Sequence, residues 1–293
     1  MKATPGEKVF YAINYILLAL LGVTCLFPLL NTIALSLSDI HEIESGRVTF
    51  YPIGWNTDAF SSLLKGTRVV DSFQNSLIIT LVGVLLSMTA TIITAYPISR
   101  RIFIGRRMFT LAMVFTMLFS GGLIPTYLVV KSLGLINSYF ALWLPGLIST
   151  YNLLVMRTFF MNIPDELDDA ARIDGCTELG YLLRIVLPLS LPVIATLTLF
   201  YGVGYWNMFL GVLIYINDTA KFNLIVLVQN MIQSQRLLQE IVNSGAASTT
   251  DIEVVPESLK AAGVLIVVVP MLVVYPFLQR YFVKGVMLGS IKG

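Results

Sequence analysis

Charged residues are scarce in this sequence. Asp, Glu, Lys and Arg make up 12% of its 293 residues, whereas a typical soluble domain carries about 25%. Apolar residues make up 56% of the chain, and the mean hydropathy is +0.82. This balance excludes an ordinary soluble domain, and the formal net charge of +2 does not indicate a nucleic-acid partner. We therefore expect an integral membrane protein surrounded by a lipid bilayer.

Residues that catalyse reactions or bind metals are also few. The chain has one histidine, His41, and two cysteines, Cys25 and Cys176, which fall in separate regions and suit neither a metal site nor a disulfide. It has no Gly-Lys dipeptide, so the G-x-x-x-x-G-K-[ST] phosphate loop is absent, and so are G-x-S-x-G and H-E-x-x-H. We therefore expect no catalytic residues and no cofactor in this chain. If ATP drives its activity, another chain must bind the nucleotide.

Long runs without Asp, Glu, Lys or Arg indicate the fold class. A helix needs about 20 mostly apolar residues to cross a bilayer. Six runs meet this requirement: Val9–Ser38, Phe73–Ser99, Met108–Val130, Tyr139–Met156, Leu187–Ile216 and Ala261–Gln279. The first run is about twice the 7–15 residues of a signal-peptide core, which favours an uncleaved helix over a signal peptide. The sequence thus predicts an all-α integral membrane protein with six transmembrane helices.

The distribution of basic residues predicts the orientation. The second connection contains Arg100, Arg101, Arg106 and Arg107, and basic residues collect in cytoplasmic loops. We interpret this cluster only as a topology signal. Both termini are then cytoplasmic, and the segments Asp39–Ser72 and Asn217–Lys260 are external. The predicted organisation, from the N-terminus, is a cytoplasmic segment 1–8, a transmembrane domain 9–282 with a cytoplasmic loop 157–186, and a cytoplasmic tail 283–293.

The cytoplasmic segment Asn162–Pro192 has the most specific local pattern. Pro164 suits the first turn of a helix, and four of the next five residues are acidic and favour the positive end of its dipole. Gly175 can end that helix in a left-handed conformation, and Thr177 can cap a second short helix. Two interpretations remain open on these grounds: a surface that docks on a partner, or an amphipathic connector with a solvated acidic edge.

This segment resembles the EAA loop of binding-protein-dependent ABC importers, E-A-A-x3-G-x9-I-x-L-P. The matching residues are Asp169, Ala170, Ala171, Gly175, Ile185, Leu187 and Pro188. Asp169 replaces the usual Glu, which shortens the side chain by one methylene and keeps the charge. The stretches Phe119–Thr126 and Tyr205–Phe209 and the tail from Tyr275 are also similar to the family. The chain as a whole resembles the smaller permease subunit of maltose-type carbohydrate importers.

The resemblance implies a type I ABC importer permease in the bacterial cytoplasmic membrane. It implies a second permease subunit, two ATPase subunits that hold ATP and Mg²⁺, an external solute-binding protein, and a saccharide substrate such as an alginate oligosaccharide. The loop would then contain a coupling helix that contacts the ATPase. The residues expected at that interface are Glu166, Asp169, Ala170, Ala171, Asp174 and Gly175. The alternative from another class is a stand-alone channel or secondary carrier, although the predicted spans contain no ionisable residue for a proton relay.

Aromatic and amide residues in the spans are candidates for the substrate path. Tyr205, Trp206 and Asn207 would combine ring stacking with an amide hydrogen bond, which suits a sugar. Asn152, Asn75 and Tyr151 are weaker candidates. The same residue types also anchor helices at membrane interfaces. The Gly121-Gly122 pair indicates either a helix break beside a cavity or a close packing contact.

Overall fold

The computed structural model describes residues 4–243 and 257–290, with side chains described for residues 4, 6–234 and 257–276. Its regular structure is helical, and the described residues form no strand, which confirms the predicted all-α class. The α-helices are α1 Pro5–Ser36, α2 Ile40–Glu44, α3 Asp58–Gly66, α4 Val69–Ser99, α5 Arg106–Leu118, α6 Leu123–Ser132, α7 Phe140–Trp143, α8 Thr150–Met161, α9 Asp165–Ile173, α10 Glu178–Tyr181, α11 Leu187–Leu189, α12 Leu191–Trp206, α13 Leu210–Tyr215, α14 Leu224–Asn243 and α15 Glu257–Ser290. A π-helical turn, Leu182–Val186, joins α10 to α11, and a 3₁₀ turn, Thr219–Lys221, precedes α14.

Three helices are long and apolar enough to cross a membrane as single rods. They comprise Gly6–Ser36 of α1, Val69–Ser99, which is α4, and Glu257–Pro276 of α15. They coincide with the first, second and sixth predicted spans. Helix α1 begins with a capping box, in which Thr4 and Glu7 each accept a hydrogen bond from the other's backbone N–H.

The third and fifth predicted spans are bent. Helices α5 and α6 meet at 114° around Gly121 and Gly122, and Gly122 has φ +85°. A Cβ at Gly121 would meet nothing within 4 Å, so this pair marks a helix break and not a tight packing contact within the described chain. The segment Glu178–Leu189 meets α12 at 80°, where Pro192 has no N–H to continue the ladder from the preceding helix.

The fourth predicted span, Tyr139–Met156, is divided between the short helices α7 and α8. Pro145 and Gly146 lie between them, and neither residue favours a continuous helix. The described chain therefore has three helices able to span a membrane, or up to five if each bent pair counts as one span. The total of six spans remains a prediction.

The chain divides into two compact units. One comprises the residues up to Val70 together with Leu227–Pro270. Within it, Ala34, Ile43 and Val48 form a small buried cluster. The other unit comprises Asp71–Val226 together with the residues from Met271. Its larger core includes the fully buried side chains of Ile79, Leu153, Met156 and Leu197. Both sites described below lie in this second unit.

Candidate functional site

A cavity of about 1080 Å³ opens beside α8 and α12. Its lining residues are Leu142, Gly146, Ser149, Tyr151, Asn152, Leu199, Phe200, Tyr201, Val203, Gly204, Tyr205, Met208 and Tyr275. None of these described residues carries a formal charge. The wall is mostly aromatic and aliphatic, with a few neutral polar groups, as in sites that bind uncharged parts of organic ligands.

Two tyrosines of this wall are attached to α4 through their hydroxyl groups. The Tyr205 hydroxyl lies 2.8 Å from that of Ser87, and the Tyr201 hydroxyl lies 2.8 Å from that of Thr91. The Tyr201 oxygen also accepts a hydrogen bond from the backbone N–H of Ser149 at 3.0 Å. Each hydroxyl group therefore has a partner within the chain. These tyrosines can offer a ligand their rings more readily than their hydroxyls.

Asn152 is one polar side chain of the wall whose amide has no partner among the described residues. It is only 4% exposed and lines the cavity, yet no hydrogen bond joins its side-chain amide to another described residue. Its backbone N–H is bonded to the Ser149 hydroxyl, which caps α8. Beside it, the rings of Tyr151 and Phe200 lie 6.3 Å apart. An amide that lines the cavity and has no partner suits a ligand that both donates and accepts hydrogen bonds.

The structure places the predicted path residues in different surroundings. Tyr205 and Asn152 line the same cavity, and so does Tyr151. Trp206 is buried and packs edge-on against Phe73, with ring centroids 6.0 Å apart. Asn207 is exposed at the C-terminal end of α12.

Asn75 lies apart from the cavity. It donates hydrogen bonds from its amide to the carbonyls of Ala220 and Phe222 at 2.8 and 3.0 Å. Asn75 therefore holds the segment before α14 in place. These two hydrogen bonds explain the position of its side chain, and no ligand is needed to explain it.

Sequence analysis missed Tyr201 and Phe200 as residues of the cavity wall. A signal for Tyr201 was present, because Tyr201 and Tyr205 are four residues apart, as are Thr91 and Ser87. Residues four apart share one face of a helix, so two tyrosines can meet two hydroxyls across antiparallel helices. The sequence does not show that these two helices are neighbours.

The cytoplasmic loop folds as its local pattern predicts. Helix α9 begins immediately after Pro164. Gly175 has φ +72°, and the N–H of Cys176 is bonded to the Ala171 carbonyl at 2.9 Å, which closes the C-terminal end of the helix. The Thr177 hydroxyl then accepts a hydrogen bond from the Gly180 N–H at 3.2 Å and caps α10. The predicted helix, glycine turn and capped second helix are thus confirmed.

Helix α9 has one exposed face and one face turned to its own chain. Glu166, Asp169, Ala170 and Ile173 are exposed and follow the i, i+3, i+4, i+7 spacing of one helix face. Ile173 is 87% exposed, which is unusual for an isoleucine. Asp174 and Gly175 are exposed at the end of the helix.

The other face of α9 carries Ala171, which is 5% exposed and packs inside this chain. The structure therefore separates the two alanines that sequence analysis grouped together, because Ala170 points outward. Asp168 also lies on the inner side, 3.3 Å from Arg100 at the end of α4. The sequence identifies Arg100 only as part of a topology signal and does not predict its contact with α9.

Comparison with known families identifies the architecture. Residues 83–288 match the model of the family described as binding-protein-dependent transport system inner membrane component. The chain is 40% identical to the polygalacturonan/rhamnogalacturonan transport system permease protein YtcP of Bacillus subtilis over 98% of this chain and 99% of that protein. It is 28% identical to the arabinooligosaccharides transport system permease protein AraQ of Halalkalibacterium halodurans, over 100% of this chain and 99% of that protein.

A solved structure shows the same fold. It is a chain of a bacterial ABC transporter involved in the import of the acidic polysaccharide alginate. The two chains superpose with a TM-score of 0.87 at 26% identity, and the match covers 96% of this chain and 99% of the other. These relatives are permease subunits and not enzymes. The comparisons favour a transporter subunit and give no support to a stand-alone channel or carrier.

Proposed function

Because this chain belongs to the family of binding-protein-dependent transport system inner membrane components, we propose that it is the permease subunit through which an ABC importer moves an oligosaccharide into the cell. The oligosaccharide is a fragment of a uronic-acid polysaccharide. The names of two relatives support this choice, since one transports polygalacturonan or rhamnogalacturonan and the other imports alginate. The observation that carries the proposal is the cavity beside α8 and α12, with its aromatic wall and the available amide of Asn152.

The chemistry of the cavity suits the sugar ring more than the carboxylate. The faces of Tyr151 and Phe200 can stack on the apolar face of a pyranose, and the Asn152 amide can both donate to and accept from ring hydroxyls. A carboxylate buried against this uncharged wall would lack a counter-charge, which is costly. The acidic groups of the substrate are therefore balanced by the second permease subunit or by water.

The remaining parts of the importer follow from this role. The N-terminal segment 1–8, the loop 157–186 and the tail 283–293 face the cytoplasm, and the transmembrane domain occupies 9–282. A second permease subunit completes the path, two ATPase subunits bind ATP and Mg²⁺, and an external binding protein delivers the saccharide. The side chains of the tail and residues 291–293 lie outside the described part of the structure.

Helix α9 is the part of this chain that meets the ATPase. Its exposed face combines two carboxylates with one small and one large apolar side chain, namely Glu166, Asp169, Ala170 and Ile173. An exposed isoleucine between acidic residues suits a partner cleft that has an apolar floor and a basic rim. Asp174 and Gly175 end the helix at the same surface, whereas Ala171 supports it from inside.

Transport by the reconstituted complex tests the proposal. The complex of this chain, its partner permease and the ATPase subunits is placed in liposomes with the binding protein and labelled oligogalacturonate or alginate oligosaccharide. We expect uptake that requires ATP on the cytoplasmic side. Asn152→Leu should lower the maximal uptake rate several-fold. The sugar meets the cavity after the binding protein has released it, and the variant lacks the amide that would hydrogen-bond to the sugar there. Asn207→Leu is the matched control at an exposed position.

Three outcomes contradict the proposal. Uptake by this chain alone, without ATP, would show that it is a carrier and not a subunit of an ABC importer. Normal uptake by Asn152→Leu would show that the sugar does not pass through this cavity. Uptake of arabinooligosaccharides with no uptake of either acidic oligosaccharide would overturn the proposed substrate class.

A further inference from the structure

Five side chains form a closed ring of hydrogen bonds and ion pairs at the cytoplasmic end of α4. Arg100 Nη2 donates to Tyr96 Oη at 2.9 Å and to Asp168 Oδ1 at 3.3 Å. Tyr96 Oη donates to Glu178 Oε2 at 2.9 Å. Arg172 Nη2 donates to Glu178 Oε1 at 2.9 Å, and Arg172 Nε lies 3.3 Å from Asp168 Oδ2. Each carboxylate thus uses one oxygen for each neighbour, and the ring closes on itself.

The ring joins three separate segments of the chain. Tyr96 and Arg100 belong to the last turn of α4 and the residue that follows it, Asp168 and Arg172 to α9, and Glu178 to α10. Tyr96 and Arg100 also lie on either side of a proline inside α4, whose missing N–H weakens the last turn of that helix. The ring therefore stabilises the end of α4 and fixes the loop to it.

Arg100 is the central residue of this arrangement. Its guanidinium lies between two aromatic rings, 4.8 Å from the centroid of Tyr96 and 4.7 Å from that of Tyr181. Its side chain is 21% exposed. Burial would lower the pKa of Arg100, but the hydrogen bond with Tyr96 and the charge of Asp168 outweigh this effect and raise it. A planar guanidinium can stack and bond in this slot at once, whereas a lysine ammonium cannot.

The neighbouring Arg101 provides a natural comparison. Its closest carboxylate partner is Asp165 at 3.8 Å, and the two side chains are 85% and 76% exposed. Such an exposed pair contributes little to stability. The two adjacent arginines have the same charge and both face α9, but only Arg100 is held between aromatic rings.

Helix α4 continues from this ring to the cavity. Thr91 and Ser87, which hold Tyr201 and Tyr205 of the cavity wall, lie on the same helix as Tyr96. At a rise of 1.5 Å per residue, Thr91 is about 14 Å from Arg100 along the helix. A displacement of α9 can therefore reach the cavity along one helix, provided that α9 and α4 move together.

We propose that Arg100 is a positioning residue that makes α4, α9 and α10 move as one body, so that movement of the ATPase at α9 changes the cavity wall through α4. This inference rests on the proposed function, because it requires α9 to dock on the ATPase. Without Arg100, α9 still docks, but only the bonds from Tyr96 through Glu178 to Arg172 join it to α4, so the two helices no longer move as one body. ATP is then hydrolysed with little movement of the sugar.

The ratio of sugar imported to ATP hydrolysed tests this role in the reconstituted complex. Arg100→Met removes the charge and the planar group, and Arg101→Met is the matched control. We expect Arg100→Met to retain the ATPase subunits during purification while the ratio falls by about fivefold or more. Arg101→Met should keep the wild-type ratio. Arg100→Lys should recover part of the loss, since it restores the charge beside Asp168 but not the stacking.

A double-mutant cycle gives a second measurement. If Arg100 acts through Asp168, Arg100→Met combined with Asp168→Asn should lower the ratio no further than Arg100→Met alone. Independent losses in the double mutant would contradict a shared contact. A proportional loss of uptake and ATPase activity in Arg100→Met, with an unchanged ratio, would show a merely structural role and overturn the inference. Import of sugar without ATP by the wild-type complex would contradict the proposed function itself, and with it this inference.

Discussion

The hydroxyl oxygen of Tyr201 lies 2.8 Å from that of Thr91, with both side chains buried in the second compact unit. One of the two groups donates to the other, and the Tyr201 oxygen also accepts the Ser149 N–H. A single phenol thus links α4, α12 and the start of α8.

Tyr201→Phe should destabilise the assembled complex by about 1 kcal/mol, because the hydroxyl of Thr91 and the N–H of Ser149 both lose a buried partner. A thermal melt of the purified complex measures the effect. Tyr15→Phe is the control, because Tyr15 is 70% exposed and has no described hydrogen bond through its side chain. Equal melting temperatures for the two variants would show that the Tyr201 hydroxyl does not hold these helices together.

Gly83→Ala should impair both stability and transport. An added Cβ would lie 2.8 Å from Cε2 of Tyr205, whose ring is held in place by its bond to Ser87. The ring must move or the helices must separate, at a cost of about 1–3 kcal/mol. The same melting experiment measures this loss, and sugar uptake reports the displacement of the cavity wall.

Gly202→Ala is the matched control for Gly83→Ala. Its Cβ would meet Val84 at 3.8 Å, an ordinary contact distance on the same pair of helices. We expect wild-type melting and uptake for this variant. If Gly83→Ala behaves in the same way, the close approach of α4 to Tyr205 is not required.

Gly175→Ala should weaken coupling between ATP hydrolysis and uptake. Gly175 has φ +72°, and a side chain in that conformation costs about 1 kcal/mol, so the end of α9 shifts or frays. Gly134→Ala introduces the same strain at φ +68°, in a turn outside the cytoplasmic loop. Uptake per ATP hydrolysed should fall only for Gly175→Ala. If the ratio of uptake to ATP hydrolysis is the same in both variants, Gly175 has no specific role in coupling.

Ile173→Asp should detach the ATPase subunits. Ile173 is 87% exposed on the outer face of α9, and a buried unpaired carboxylate at an interface is strongly unfavourable. Purification of the tagged chain, followed by measurement of the ATPase recovered with it, tests this expectation. Ile104→Asp is the control, at an isoleucine that is 95% exposed in the loop after α4. Full recovery of the ATPase with Ile173→Asp would place the docking surface elsewhere.

Local rules were sufficient for the cytoplasmic loop. Pro164, Gly175 and Thr177 act through the backbone of their own segment, so their positions predict where α9 begins and ends and where α10 is capped. The long charge-free runs likewise predict α1 and α4, because the length and polarity of a bilayer-spanning helix are properties of the segment itself. The family was indicated by the resemblance of the same loop, from Asp169 to Gly175 and on to Pro188, to the EAA motif.

Tertiary structure alone decided which polar residues meet. Asn152 and Tyr205 share a cavity, whereas their sequence neighbours Trp206 and Asn207 do not line it. Trp206 packs against Phe73, and Asn207 lies at the C-terminal end of α12. Arg100 and Arg101 are adjacent and of the same residue type, yet only Arg100 lies between the rings of Tyr96 and Tyr181. That difference requires α4 and α10 to be neighbours, a long-range contact that no local pattern in the sequence encodes.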